Sequence, residues 1–502
     1  MIILSVFPQA IAFLGGIPTT IGILAGLFGL IVIFGFMAPY YKIHMPRKRA
    51  RKGILITIFM FFLVIFNGAF IFAGIQYLFV TPSARSNFIW DTGPFLTWTD
   101  NTATSITITW ITKDPTQTQM QYSTIPEEPE AWITKIGQSS TKMHRITLNN
   151  LFPNTTYYYS LTNFEHNRRI FNFTTAPLAG AQNPFRFLVF GDSQNGGGMS
   201  TGVFANFTES ALQSGPYQFS IHVGDLIDQG NDLRSWKYTM DLVSRLSTNA
   251  PFQSCVGNHD LGSNFNNDPE PHKNYPDQGA NWLYFFDYPY VTAGNPYTPF
   301  QNRYYSFTYD NAYFLAIDSE QIGNFDAKSS QAKWIEEELR KASENSNIDW
   351  IFCYLHRPVF SQYEGAGSAF RYFTEKGNHY EWLCPLFDKY GVDAVFQGHV
   401  HDYQAYNWSL TPEVPFYNPT LHPWVENADP LTDHSTLYFV TGGTANNYNF
   451  DEIYPPNSPY MLGGQLADHY MDVQVNGTTC IISAWTINNT LLLGNQSFIL
   501  TK

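Results

Sequence analysis

Apolar positions are distributed in three textures along this 502-residue chain. The first is continuous. Ile17 to Tyr41 and Ile54 to Val80 contain no charged residue, and crossing a bilayer core of ~30 Å takes about 20 helical residues. Residues 1–80 therefore predict a membrane region with two transmembrane helices, 17–41 and 54–80. The sixteen residues before them are apolar but broken by Pro8. No basic segment precedes them and no cleavage site follows, so they read as an uncleaved leading segment lying at the interface.

The second texture runs from about Phe95 to Ala176 and consists of short alternating runs separated by turn residues. Ser105-Ile-Thr-Ile-Thr-Trp110 alternates strictly, as a half-buried strand does. This predicts one small β-domain over 93–178. The third texture begins after Pro184. Phe185–Phe190, Phe219–Val223, Phe252–Val256, Tyr313–Ile317, Trp350–Leu355 and Ala394–Gln397 read as strands. Asp232–Arg245, Ser330–Ala342 and Tyr380–Tyr390 read as helices. Such alternation predicts an α/β domain over 185–502, a layered β-sandwich with flanking helices. Leu261–Asn302, Ser361–Asn378 and Tyr403–Asp433 are too polar and irregular for core elements and read as long loops, of the kind that line a site or are disordered.

Charge gives the membrane region an orientation. Residues 1–80 hold six Lys/Arg and no Asp or Glu, and all six cations fall between Lys42 and Lys52. The positive-inside rule places loop 42–53 in the cytoplasm and the body of the chain outside it, extracellular or lumenal. Seven N-x-Ser/Thr sequons, all after Val80, are compatible with that side. The overall charge is −13, so the body carries 22 Lys/Arg against 41 Asp/Glu. Without a basic footprint, nucleic acid is excluded as a partner. The four cysteines, Cys255, Cys353, Cys384 and Cys480, show no CxxC spacing, which argues against a zinc knuckle or a dithiol motif. Buried free thiols are expected, with one or two disulfides left open.

The candidate chemistry lies at strand ends. Phe185–Phe190 runs into Gly191-Asp192-Ser-Gln194, Ile221-His-Val223 into Gly224-Asp225-Leu-Ile-Asp228, and Cys255-Val256 into Gly257-Asn258-His259-Asp260. Ile351–Leu355 ends in His356-Arg357, and Val395–Gln397 in Gly398-His399-Val-His401. Ligands of α/β sheets sit at the carboxyl ends of strands, and a preceding Gly lets the chain turn sharply there. Each tetrapeptide alone is a common turn. Five in succession, all ending in metal-competent side chains, point to one shared site. His222 lies within a strand and reads as a core histidine, while Arg357 is open between a phosphate contact and a surface residue.

This set resembles the calcineurin-like metallophosphoesterases, with their D-x-H, G-D-x-x-D, G-N-H-D/E, strand-terminal His and G-H-x-H motifs. The purple acid phosphatase branch is the nearer in architecture. Leu151-Phe-Pro153-Asn-Thr155-Thr-Tyr157 likewise resembles the corner of a fibronectin type III sandwich. The resemblance implies two divalent cations (Mn, Fe or Zn) and hydrolysis of phosphomonoesters by a metal-bridging hydroxide. Asp225 would bridge both ions, with Asp192, Gln194 and His401 completing one site and Asn258, His356 and His399 the other. His259 would be the general acid near the leaving oxygen, oriented by Asp260. The implied substrates are phosphoester small molecules or phosphoproteins; contact with a lipid bilayer is expected from the two apolar runs, which lie outside the resemblance. A phosphodiesterase or pyrophosphatase of the same fold is the nearest alternative, and a non-catalytic receptor or adhesion ectodomain a more distant one.

The chain departs from the purple enzymes at two positions. Asp228 stands where they carry the Tyr that binds ferric iron and gives the colour, and Gln194 stands where they carry Gly. A colourless enzyme with two divalent ions is the expectation.

Overall fold

The computed structural model describes residues 91–164, 169–194, 202–230, 233–261, 280–286, 288, 303–320, 327–361, 379–408, 436–444, 461–492 and 497–502. The apolar runs 17–41 and 54–80 lie outside these residues. Among the described residues, no helix is long and apolar enough to cross a membrane.

Seven strands build the first β-domain: β1 (Thr92–Thr97), β2 (Ile106–Thr116), β3 (Gln119–Ser123), β4 (Ile133–Ile136), β5 (Thr141–Leu148), β6 (Thr156–Leu161) and β7 (Phe171–Thr174). They form one sheet ordered β1-β2-β5 and another ordered β4-β3-β6-β7. Tyr157 is buried in β6, and its hydroxyl accepts the Phe152 N–H at 2.9 Å, which fixes the corner between β5 and β6. The expectation of a half-buried β2 fails. Its first seven residues are all buried. Its threonine face is covered because Arg145 lies over Thr109 and donates to the carbonyls of Tyr284 and Phe285 in the second domain.

His144 sits inside this first domain, fully buried, with its ring stacked on Trp110 at 4.9 Å. Its two ring nitrogens meet the hydroxyls of Thr112 at 2.7 Å and Thr118 at 2.9 Å. Burial lowers its pKa to about 4, against a small opposing pull from Asp91. The folded value lies below the unfolded one. The neutral ring's contribution is therefore complete above about pH 6.5 and is lost as pH falls toward 4, by up to about 1.4 kcal/mol per unit. His144→Gln should flatten the fall in melting temperature between pH 7 and pH 5. Parallel pH curves for variant and wild type would rule out this residue as an acid-sensitive point.

The second domain is built from β8 (Phe185–Phe190), α1 (Gly202–Ser214), β9 (Phe219–His222), α2 (Leu233–Ser247), β10 (Phe252–Ser254), α3 (Ala280–Phe285), β11 (Tyr305–Tyr309), β12 (Ala312–Ile317), α4 (Ser330–Ser343), β13 (Trp350–Leu355), α5 (His379–Lys389), β14 (Ala394–Gln397), β15 (Tyr403–Trp408), β16 (Thr436–Thr441), β17 (Met461–Gln465), β18 (His469–Asn476), β19 (Thr479–Thr486) and β20 (Ser497–Thr501). One sheet runs β10-β9-β8-β18-β19-β20 and the other β11-β12-β13-β14-β16-β15-β17. The aromatic rings of the two sheets interdigitate. Phe187 of β8 meets Phe314 of β12 at 5.2 Å and Phe352 of β13 at 5.5 Å, both edge to face. Strands β8, β9 and β10 pair parallel, as do β12, β13, β14 and β16, so their carboxyl ends lie together within each sheet.

Helix α4 shows why the sequence folds as it does. Its buried Gln331, Ala332, Ile335, Leu339 and Ala342 recur at helical spacing, and Ser329 caps the first turn by accepting the Ala332 N–H at 3.0 Å. All six expected strands and all three expected helices form, with ends shifted by a few residues at most. Helices α1 and α3 and strands β11 and β15 to β20 lie outside those expectations. Helix α1 was hidden because its apolar face, Phe204, Phe207 and Ala211, is diluted by polar neighbours. Helix α3 and strand β15 fall in stretches expected to be loops. In β15 the buried Gln404, whose amide donates to Asp402 at 2.9 Å, masks the strand's alternation. The four cysteines are free and buried.

Candidate metal centre

Three residues of the expected site adopt left-handed backbone at the strand ends: Asp192 (φ 57°), Asp225 (φ 55°) and His399 (φ 70°). Non-glycine residues seldom hold that conformation, and it costs about 1–3 kcal/mol each where it is imposed. Here it swings each side chain out of its strand toward a common centre. The glycines before the ligands permit the crowding. A Cβ on Gly398 would lie 2.6 Å from Asp192 Oδ2, and one on Gly257 would lie 2.2 Å from Asp225 Oδ1.

Asp225 is central. Its Oδ2 lies 3.1 Å from His356 Nε2 and 3.3 Å from Gln194 Nε2, while its Oδ1 accepts the His259 N–H at 2.7 Å. On one side, Gln194 is 3.1 Å from His401 Nε2, and His401 is 3.4 Å from Asp192 Oδ1. On the other side, His356 Nε2 is 3.0 Å from Asn258 Oδ1 and 3.3 Å from His399 Nδ1. The structure thus brings together all seven residues named as ligands, in two half-sets that meet at Asp225. Candidate donor atoms of Asp225, His356 and His399 lie within 4.8 Å of one another.

The donors suit cations. His356 Nδ1–H donates to the Val223 carbonyl at 3.0 Å, which leaves Nε2 facing the centre. Burial alone would lower the pKa of this ring, but the Asp225 carboxylate outweighs it and raises it to about 10. Burial likewise pushes Asp225 upward, and the imidazoles of His356 and His259 more than reverse that push, holding it well below the usual carboxylate range. The centre demands positive charge. Gln194 Oε1 is buried with no hydrogen-bond partner among the described residues, the mark of an oxygen held for a ligand. Oxygen and imidazole donors in this mixture fit Mn, Fe or Zn better than Ca.

Two side chains behave differently from expectation. His259 is about one-third exposed. Its Nδ1–H donates to the backbone carbonyl of Asp228 at 2.8 Å, with the Asp228 carboxylate 3.5 Å away. Asp260 does not orient it. The Asp260 carboxylate accepts the amides of Asp225 (3.0 Å), Leu226 (2.9 Å), Ile227 (3.3 Å) and Gly257 (2.8 Å), so it holds the turns that present Asp225 and Asn258. Asp228, in the place of the purple enzymes' Tyr, stands beside His259. Burial would lower the pKa of His259, but Asp225 and Asp228 raise it.

The core reading of His222 holds, since its Nε2 meets the Ser193 hydroxyl at 3.0 Å within the sheet. Arg357 is buried and paired with Glu320, so the surface-residue alternative is ruled out. A further strand end went unnoticed in the sequence. After β16, Thr444 donates through Oγ1 to the Gly191 carbonyl at 2.5 Å and lies 3.0 Å from Ser193, bracing the Asp192 turn.

Comparison with known proteins agrees with this geometry. Residues 185–403 match the family described as calcineurin-like phosphoesterase, and residues 92–175 match the purple acid phosphatase N-terminal domain. Acid phosphatase type 7 of Homo sapiens is 27% identical over 341 residues, which is 63% of this chain and 72% of the relative. Purple acid phosphatase 1 of Ipomoea batatas is 26% identical over 333 residues, 62% of this chain and 60% of that one. Among solved structures, the purple acid phosphatase PPD1 of yellow lupin superposes with a TM-score of 0.65 at 17% identity, covering 83% of this chain and 75% of that one. PhoD superposes with a TM-score of 0.59 at 14% identity, covering 82% and 88%, a likeness of fold. The chain therefore carries a calcineurin-like metallophosphoesterase domain behind a purple acid phosphatase N-terminal domain, and it belongs with the metal-dependent phosphoric ester hydrolases of that kind.

Proposed function

We propose that this protein is a membrane-anchored phosphomonoesterase whose catalytic body faces the extracellular or lumenal side. Asp192, Gln194 and His401 would hold one divalent ion, Asn258, His356 and His399 the other, and Asp225 both. The observation that carries this reading is the meeting of two half-sets of donors at the Asp225 carboxylate. Two ions there would supply a nucleophilic hydroxide near neutral pH and hold the phosphoryl oxygens. The chain's own residues do the rest. Asp260 and the Asp192–Thr444 brace keep the donor turns in place. His259, open to solvent and tethered at Nδ1, presents Nε2 as the proton donor to the departing alkoxide oxygen.

Metal analysis of the purified full chain with a panel of monoesters, diesters and pyrophosphate tests this reading. Two ions per chain and the fastest turnover on monoesters are expected. A chain that binds no divalent metal, or that turns over diesters far better, would overturn it.

Colour is a second test. With Asp228 beside His259, no phenolate stands at the position that gives purple enzymes their band. Losing that hard anionic donor also removes the preference for a ferric ion. The active protein should be colourless, keep its activity in mild reductant, and have an optimum that is not strongly acid. A visible charge-transfer band in active protein, or a strict need for a ferric–divalent pair, would contradict this.

The membrane part of the proposal rests on the two uncharged runs and the six cations between them. Protease added to sealed microsomes should leave the body intact. Digestion of the body without opening the vesicles would reverse the orientation.

A further inference from the structure

His259 is held from two sides. Its amide donates to Asp225 Oδ1 at 2.7 Å, so the shared ligand fixes its backbone from within the site. The other side is the turn Asp228–Gly230. The Asp228 carbonyl accepts the ring Nδ1–H at 2.8 Å, and the Gly230 N–H donates to the His259 carbonyl at 2.8 Å. The direction in which Nε2 points therefore depends on where this turn lies.

The turn is anchored by residues that are not among the ligands. The Gly230 carbonyl accepts Trp236 Nε1 from α2 at 2.8 Å and Asn281 Nδ2 from α3 at 2.8 Å. A carbonyl oxygen has two lone pairs, and both are used. Trp236 and Asn281 are buried, and the Trp236 ring stacks on Phe285 of α3 at 4.7 Å, 12° from parallel. Helix α3 has only six residues, too few to hold itself in place by its own hydrogen bonds. Its last carbonyls lack partners inside the helix. Arg145 of β5 supplies them, with Nη2 donating to Tyr284 at 3.1 Å and Phe285 at 3.2 Å. A cation suits that end of a helix. The chain of contacts thus runs from the first β-domain through α3 and the Gly230 carbonyl to His259.

We infer that Asn281 and Arg145 are positioning residues for proton transfer. Asn281 holds the turn that aims His259 Nε2, and Arg145 fixes the helix that carries Asn281. The first β-domain then takes part in catalysis without touching the substrate. The inference rests on the reading of His259 as proton donor. The donor turns of Asp225 and Asn258 hang on Asp260 instead, so metal binding is independent of this anchor.

The test is a double-mutant cycle in the full chain, with kcat measured on phenyl phosphate, whose leaving group is poor, and on 4-nitrophenyl phosphate, whose leaving group is good. Asn281→Ala should keep two ions per chain by mass spectrometry. It should lower kcat on phenyl phosphate by about 10–100-fold, up to the loss that a misplacement of about 1 Å brings, and lower it less on the nitrophenyl ester. In a His259→Ala background the same substitution should change kcat by no more than about twofold, because its effect passes through that ring. Arg145→Met keeps the aliphatic stem, removes the donors and should give the same pattern with a smaller loss. Circular dichroism reports folding, and if Asn281→Ala does not fold, Arg145→Met carries the test. Equal losses in both backgrounds and on both esters are the mark of a structural role and overturn the inference. Wild-type kcat in folded variants, or loss of metal, overturns it too. A His259→Ala protein as fast as wild type would instead remove the proton-donor reading, and the inference with it.

Discussion

Replacing Asp225 with Asn should strip the protein of both ions and nearly all of its turnover while leaving the fold intact. The fold survives because the demands on the backbone at this position are met by Asn. Asp225 sits at φ 55°, a conformation Asn tolerates better than most residues. Its amide goes on donating to Asp260 at 3.0 Å, whatever the side chain carries. The function does not survive, because the amide lacks the charge that both half-sets share. Losing metal stabilisation of the transition state, worth several kcal/mol, corresponds to a rate about 10³-fold lower or more. Metal content by mass spectrometry and kcat on a monoester are the measurements. A variant with two ions and wild-type kcat would show that the shared donor lies elsewhere.

His259→Ala should behave in the opposite way, keeping both ions and slowing catalysis by about 10²–10⁴-fold, the range for a general acid or base. His259 touches Asp225 through its backbone amide, which alanine preserves. Its ring is held by the Asp228 carbonyl and is not among the donors that surround Asp225 Oδ2, from which its Nε2 lies 4.0 Å away. The loss should shrink for substrates with good leaving groups, since a stable leaving anion needs no proton. A constant deficit across leaving groups would remove the general-acid role. Because Asp260 holds the turns and not this ring, Asp260→Ala should resemble Asp225→Asn, with metals lost, more than it resembles His259→Ala.

The ligands were legible in the sequence because they fall at the ends of five apolar strands, four of which run into a Gly, and parallel strands put those ends side by side. The partner of His259 was not. Asp260 follows it directly, but neighbouring side chains along a turn diverge, and the hydrogen bond goes to Asp228, 31 residues away. Glu320 was missed for a related reason. Asp318-Ser-Glu320 has no Gly and no metal-type pattern, and a charged triplet after a strand ordinarily reads as solvated loop. That it is buried and paired with Arg357 is a property of the packed sheets. The covered threonine face of β2 was likewise illegible, because it depends on a neighbour more than a hundred residues further along.

Trp98 gives the two sandwiches a common fate. It leaves β1 of the first domain and packs on Phe219, Phe307 and Tyr309 of the second, at 5.3, 5.5 and 5.7 Å. Its backbone amide donates to the side chain of Gln253, in the middle of the strand that runs on to Asn258 and His259. Apolar side chains of both domains belong to one continuous core. Heat therefore meets a single cooperative block rather than two beads on a string, and the two domains should melt together in one transition. A catalytic half produced alone would show water the bed of Trp98, so a chain trimmed to the phosphoesterase motifs would start out with an exposed aromatic patch and a tendency to aggregate.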